Sequence, residues 1–354
     1  MIKLSKIILG FTLLLLLLWQ LPWCYAFFTS ASSKSPFILY SPVIGDFVFS
    51  ASDGKGMKHT DSRGNSYSQA ETDSILPFFY ARQLMTDGRF PDTVQGKPVT
   101  YKEAQQETFF FRHSPKDINA PQTGIYQLLE SFSGRVKLES PNDVFRITDR
   151  GIEFIDAATN SVNRQKSELF TELMKKKDFV FPATYLSGNP SVKKDYDEGY
   201  LLLDANSKPF HMKQMKGRPY VKQIEVPKGI TIKHLFITEF RNKRTIGFVT
   251  DTENNFYAIE KAGYEFRKIA IPPFDPTQNA MMVYGSVFDW TIKITSKEEQ
   301  KYYAIDVTDY TLIKSYEEPQ PEVSLAEKIG APLAAVRLRF TDPLDKFIFP
   351  RFGN

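Results

Sequence analysis

The sequence predicts a mainly β fold with minor helices, built from repeated antiparallel hairpins behind an N-terminal transmembrane or signal segment. Three observations carry this. The first is a long apolar run at the N-terminus. The second is a period close to two over about residues 136–316, where β-branched and aromatic stretches are split by polar turn clusters. The third is a recurrence: turns starting at Asp204, Asp251 and Ser296 lie 47 and 45 residues apart. That period suits four-stranded blades that each bury their faces on their neighbours, so a β-propeller-like array is expected, with a twisted β-sandwich of successive hairpins as the alternative.

Composition supports a packed chain. The 354 residues are 42% hydrophobic and 14% aromatic, with 45 Lys+Arg against 41 Asp+Glu, which is too apolar and too evenly charged for a disordered chain. The net charge is +4, of which Lys3 and Lys6 account for two, so nothing electrostatic argues for nucleic acid. The single Cys24 excludes an intramolecular disulfide and a cysteine-based zinc site.

The elements follow in order. Ile7 to Phe28 is apolar apart from mild interruptions at Gln20 and Pro22, and a helix needs about 20 residues to cross the hydrocarbon core. An uncleaved anchor over residues 1–28 is the primary expectation. A leader cleaved near Cys24-Tyr25-Ala26 and lipidation at Cys24 are the rivals. Lys3 and Lys6 before the apolar run put the N-terminus in the cytoplasm and the rest outside. No Asn-x-Ser/Thr acceptor occurs, which favours a bacterial envelope: inner membrane, single pass, C-terminal domain in the periplasm.

Residues 29–36 read as a Ser-rich tether, and 37–130 as a mixed α/β part. Within it, Val43–Ser50 is strand-like, and Met57–Thr60 faces Tyr67–Ala70 across Asp61-Ser62-Arg63-Gly64-Asn65. Pro77 suits a first helical position, with Phe78, Ala81, Leu84 and Met85 at helical spacing and Gly88 as terminator. Thr100-Tyr101-Lys102-Glu103 is a capping box for a helix to Glu107.

Residues 131–354 form the β-rich repeat part, with a C-terminal helix and a docking tail. Asn163 to Lys177 interrupts it as a helix whose apolar face is Leu169, Phe170, Leu173 and Met174. Three segments, 199–226, 246–271 and 290–317, repeat strand, polar turn, strand, turn, strand, and Phe145–Ile155 reads as an earlier copy. Trp290, Ile292 and Ile294 share one face and Thr291, Lys293 and Thr295 the other. Pro319-Gln320-Pro321 is a linker and Ser324-Leu325-Ala326-Glu327 a capping box. Phe340, Phe347, Ile348, Phe349 and Phe352 are apolar enough to dock on the body.

Chemistry is scarce. His59, His113, His211 and His234 are dispersed, and no Gly-x-Ser-x-Gly elbow, phosphate loop or dinucleotide glycine fingerprint occurs. Asp195-Tyr196-Asp197-Glu198 offers oxygens to a calcium ion or is a solvated loop. Asp53-Gly54-Lys55-Gly56 is a turn. Phe109-Phe110-Phe111, Phe78-Phe79-Tyr80 and Tyr302-Tyr303 either line a groove or fill the core. The sequence therefore assigns no catalytic, cofactor-binding or metal-ligating residue, and no cofactor.

Gly151-Ile-Glu-Phe-Ile-Asp-Ala-Ala-Thr-Asn160, Phe181-Pro182-Ala183, Gly188-Asn189-Pro190 and Asp197-Glu-Gly-Tyr-Leu-Leu-Leu-Asp204, in that order, resemble an uncharacterised bacterial domain-of-unknown-function family. Its members look like single-span envelope proteins encoded near ABC-transporter genes. The resemblance implies an accessory protein and brings no residue roles. The expected function is a non-enzymatic, membrane-anchored, extracytoplasmic binding protein whose partner is an ABC-transporter subunit or another envelope protein. The alternatives are an envelope hydrolase acting on glycan or peptide with loop carboxylates, and a small-ligand sensor.

Overall fold

The structure, a computed structural model, describes all residues except 1, 30–34, 53, 55, 121, 133–136, 298, 319–324, 326, 327, 331, 333–335 and 354. The 319–321 linker, the Ser324–Glu327 capping box, most of the tether and two residues of the Asp53–Gly56 turn thus lie wholly or largely outside the described residues. At the N-terminus α1 (Ile2–Thr29) is one apolar helix, long enough over Lys3–Thr29 to be a membrane anchor or a signal sequence.

The first sheet is a meander of β1 (Phe37–Ser41), β2 (Asp46–Ser52), β3 (Met57–Asp61) and β4 (Ser66–Tyr67). The hairpin across Asp61–Asn65 forms as expected, but its second strand stops at Tyr67 rather than Ala70. The reason is Ser68: its hydroxyl accepts from Glu71 N and the Glu71 carboxylate accepts from Ser68 N, a capping box that starts α2 (Gln69–Ile75). Pro77 does not open the next helix. It lies in the turn between α2 and α3 (Ala81–Thr86), where Ala81 and Leu84 face the core, Met85 is exposed, and Gly88 follows at φ +66°. A short hairpin, β5 (Thr93–Val94) with β6 (Lys97–Pro98), precedes α4 (Tyr101–Glu107), where Thr100 Oγ1 accepts from Glu103 N.

Four further sheets complete the body. After β7 (Phe109–His113) and α5 (Pro115–Ile118) come β8 (Asp143–Ile147), β9 (Ile152–Asp156) and β10 (Ser161–Val162), a three-stranded sheet. α6 (Arg164–Lys176) covers β9 and buries Phe170 and Met174, while Leu169, assigned to the same face by spacing, is exposed. The fourth element set is β11 (Tyr185–Gly188), β12 (Tyr200–Leu203), β13 (Pro209–Met215) and β14 (Arg218–Gln223). It is followed by β15 (Ile232–Ile237), β16 (Thr245–Asp251), β17 (Phe256–Glu260) and β18 (Phe266–Lys268). The last sheet holds β19 (Ala280–Gly285), β20 (Asp289–Thr295), β21 (Gln300–Asp306) and β22 (Leu312–Glu317), with β7 added beside β19 in the register Met281↔His113 to Gly285↔Phe109. Each of the three sequence repeats therefore supplies the second, third and fourth strands of one antiparallel sheet.

Two-faced burial explains how the sheets sit together. Tyr200 and Leu202 join the core shared with the β8–β10 sheet, while Leu201 and Leu203 join the core shared with the β15–β18 sheet. Alternate side chains thus meet opposite neighbours, and a strand buried on both faces reads as a continuous apolar run. β17 repeats this: Phe256 and Ala258 face the β19–β22 sheet, and Tyr257 and Ile259 face the β11–β14 sheet. In β21, Tyr303 and Ile305 face one side while Tyr302 and Ala304 pack against Ile38, Tyr40 and Phe47 of the first sheet. Thr291, on the polar face of its strand, is fully buried and accepts a hydrogen bond from Tyr40 N at 2.9 Å. The result is mainly β, with repeated antiparallel sheets packed face to face in the chain of neighbours β8–β10, β11–β14, β15–β18, β19–β22, β1–β4. The sheets do not close into a ring: among the described residues no core cluster joins the β8–β10 sheet to the first.

Gly199 tests this packing. It adopts φ +68°, and a Cβ there would lie 2.3 Å from Met212 O on the paired strand. Backbone cannot give way as a flexible side chain does, so Gly199→Ala is expected to cost about 2–4 kcal/mol in urea unfolding.

The tail departs from expectation. β23 (Leu338–Arg339) pairs with β24 (Arg351–Phe352), and Leu338 is buried, but Phe347, Ile348, Phe349 and Phe352 remain exposed. Phe340 packs on Trp19 of α1 rather than on the sheets, with ring centroids 5.7 Å apart, and the tail meets the body through a polar contact, Leu344 O accepting from Asn119 Nδ2 at 2.9 Å.

Candidate functional site

Three sheets present their terminal strands to a common cleft of about 410 Å³: β7, β11 and β15, with the loop that follows β15. Half-buried Phe111 and exposed Phe110 and Arg112 of β7 line one side, with Asp117 of α5. The opposite wall is Ser187 to Asn189, Lys194 and Phe236 to Phe240. Phe109 anchors β7 from behind, stacked on Phe240 with ring centroids 3.8 Å apart. Ser187 Oγ accepts from Ile237 N at 2.9 Å and so ties β11 to β15.

The polar end of the cleft is an ion network. Lys194 Nζ lies 2.5 Å from Glu239 Oε1 and 2.6 Å from Asp197 Oδ1, and donates to Asn189 O at 2.6 Å. Glu239 also accepts from Glu198 N at 2.8 Å and Asn189 Nδ2 at 3.0 Å. Burial raises the Glu239 carboxyl above its usual range against the opposing pull of Lys194. Behind it, Glu198 binds Lys213 Nζ at 2.8 Å and Lys261 Nζ, and these two cations outweigh burial to hold its carboxyl below the usual range. Lys194, Lys213 and Lys261 thus face Asp197, Glu198 and Glu239, three charges against three, which is how buried ions are tolerated.

This corrects the reading of Asp195-Tyr196-Asp197-Glu198 as either a solvated loop or a calcium site. Only Asp195 is at the surface, paired with Arg241 at 2.7 Å. Asp197 and Glu198 are buried, and their oxygens are taken by lysines, by Ser131 Oγ at 2.9 Å and by Gly199 N at 3.0 Å. Among the described residues, no group of three or more His, Cys, Asp or Glu is arranged to hold a metal ion.

The histidines stay dispersed. His59 bridges Ser50 Oγ and Gln69 Oε1, at 2.9 and 3.1 Å. His211 sits between Tyr264 OH and Glu198 O, and burial pushes its imidazole down to about 4. His113, at the cleft, donates from Nε2 to Pro276 O at 2.7 Å. His234 is buried, and burial with Lys233 beside it pushes its imidazole down to about 4. Of the aromatic runs, Phe78 to Tyr80 and Tyr302-Tyr303 are core, whereas Phe110 and Phe111 line the cleft.

One turn motif recurs with the sheets. Asp251 Oδ1 accepts from Glu253 N and Asn255 N, and its Oδ2 accepts from Asn255 Nδ2 and Tyr257 OH. Asp61 makes the same four bonds with Arg63, Asn65 and Tyr67. Asp204 makes the backbone pair, to Asn206 N and Lys208 N. In each turn the third residue after Asp has a positive φ: Gly64, Asn254 and Ser207. These donors outweigh burial and hold the Asp61 carboxyl at about 2. The pattern Asp-x-x-x-Asn-x-Tyr at 61 and 251 was the signal that the first sheet is a further copy.

The family described as "Domain of unknown function (DUF4857)" matches residues 37–305. Among solved structures, the chain is similar to the Dos1 propeller at 8% identity and a TM-score of 0.29, covering 81% of this chain and 62% of that one. It is also similar to the Cps50 (Swd1) β-propeller domain of Myceliophteria thermophila, at 8% identity and a TM-score of 0.28, covering 83% and 88%. A third is the N-terminal domain of Nup159, at 13% identity and a TM-score of 0.22, covering 81% and 62%. The chain therefore spans only 62% of the length of the Dos1 structure that it matches. No curated protein matches it.

Proposed function

This chain belongs to the DUF4857 family, and from that premise we propose that it is a membrane-anchored binding protein, held by α1 in the bacterial inner membrane with its sheets in the periplasm. Its partner is an extended segment of another envelope protein, an ABC-transporter subunit being the one that the family resemblance implies. The observation that carries this reading is the cleft between β7, β11 and β15. It combines exposed Phe110 and Arg112 with terminal strands and a charge-neutral floor. Terminal strands offer main-chain groups to an extended peptide, and aromatic side chains supply contact area at small entropic cost.

Capture in cells tests it. A photoreactive residue at position 110 of the full-length protein is expected to crosslink to a transporter membrane subunit. Phe110→Ala with Arg112→Glu is expected to lower recovery of that subunit at least about tenfold, the loss of one aromatic anchor and one charge. Recovery of the protein alone overturns the reading. Deletion of residues 2–28 is expected to release the protein from carbonate-washed membranes; retention there would refute a single anchor.

A further inference from the structure

We propose that the C-terminal hairpin is a second membrane contact, laying Phe347, Ile348, Phe349 and Phe352 into the lipid headgroup and acyl boundary beside α1. The inference rests on α1 being the membrane anchor of the proposed function. Ile348 is 79% exposed and Phe352 64%, in a segment whose charged side chains are paired. Arg339 pairs with Asp342 at 3.0 Å, and Arg351 pairs with Asp345 at 2.9 Å while its guanidinium lies 3.9 Å from the Phe349 ring centroid. Lys346 meets Asp117 at 3.5 Å. The charges of the hairpin are thus paired while, among the described residues, Ile348 and Phe352 stay largely exposed and Phe347 and Phe349 about half exposed, an arrangement that costs free energy in water.

Continuity with α1 identifies the cover as lipid. Phe340 sets its ring edge-on to Trp19 with centroids 5.7 Å apart, and Gly330 backs directly on the Tyr25 ring, where a Cβ would fall 2.4 Å from Cε1. A helix rising about 1.5 Å per residue crosses a core of about 30 Å in about 20 residues. Counted from Ile7, where the apolar run begins, that crossing ends near Ala26. Trp23 and Tyr25 then stand at the outer boundary, the depth at which amphipathic rings settle, and Trp19 lies about 10 Å further in. The hairpin, with Phe340 packed against Trp19, therefore reaches past the headgroups to the acyl boundary, so its phenylalanines meet lipid rather than bulk water.

The test uses the full chain with Cys24→Ser, reconstituted in vesicles of phosphatidylethanolamine and phosphatidylglycerol. Nitroxide labels are placed singly at Leu14→Cys and Ile348→Cys, both exposed on the protein surface. Collision with oxygen and with a water-soluble nickel complex then reports depth. The expected result is a label at 14 deep in lipid and a label at 348 shielded from nickel but open to oxygen. A lipid-embedded label at 14 with a nickel-accessible label at 348 overturns the proposal and leaves the anchor standing. A label at 348 closed to both reagents and broadened by a second spin means that another copy of the chain covers the face, which also overturns it. A label at 14 in water overturns the anchor, and the hairpin contact with it.

Discussion

Glu198→Ala is expected to destabilise the protein by about 3–5 kcal/mol, because it breaks ion pairs whose carboxylate is buried and leaves half-buried Lys213 and Lys261 without their counter-ion. The Glu198 side chain is 2% exposed and holds Lys213 from β13 and Lys261 from the turn after β17, so one carboxylate staples two neighbouring sheets. His211, at 3.7 Å from the same carboxylate, is kept neutral by burial and adds no third cation to the cluster. The matched control is Arg241→Ala, which removes the exposed Arg241–Asp195 pair and is expected to cost no more than about 1 kcal/mol. Urea unfolding of both variants checks the contrast. Equal losses, or a Glu198→Ala protein as stable as the parent, would show that the network contributes no net stability. The depressed Glu198 pKa adds a sign: its contribution is present at neutral pH and is lost as pH falls below the unfolded value of 4.5 through the folded one.

Asp289→Asn is expected to remove a pH dependence of stability that runs the other way. Asp289 is fully buried at the start of β20; one oxygen accepts from Ser286 Oγ at 2.9 Å and the other has no donor among the described residues. Burial, reinforced by Asp306 across the β20–β21 pair and only partly opposed by Ser286, pushes its carboxyl up from 3.8 to about 7. The folded protein therefore keeps a proton that the unfolded chain releases, and stability falls as pH rises from 3.8 to about 7. At about 1.36 kcal/mol per pH unit the interval is worth about 4 kcal/mol. Buried His211 and His234, both depressed to about 4, contribute with opposite sign, losing stability as pH falls from 6.5. The difference between the parent protein and the variant isolates Asp289, since the amide keeps an acceptor for Ser286. Stability curves of the parent and of Asp289→Asn that run parallel from pH 4 to 7 would refute the assignment.

Local features were legible where one segment determines its own structure. The turns at Asp204 and Asp251, the α6 helix with its Asn163 cap and the strand triplets at 199–226, 246–271 and 290–317 depend on residues a few positions apart. The fourfold bonding of Asp61 was equally local, and its likeness to Asp251 was available in the sequence. The cleft was not. β7 pairs with β19 more than 160 residues away, and no pattern within Phe109–His113 specifies that edge. The acidic run 195–198 looks solvated in sequence because its lysines come from positions 15 and 63 residues beyond Glu198, and Glu239 lies 41 residues beyond it.

By itself the sequence determined an apolar N-terminal helix, a mainly β body of repeated antiparallel hairpins and the exclusion of an intramolecular disulfide, because periodicity, turn chemistry and cysteine count are properties of composition and short spacing. The tertiary structure alone decided which strands meet at the cleft, which carboxylates are buried with lysines and why the hairpin phenylalanines stay uncovered. Those outcomes depend on desolvation and packing between segments far apart in the chain, and burial is a property of the assembled sheets rather than of any one of them.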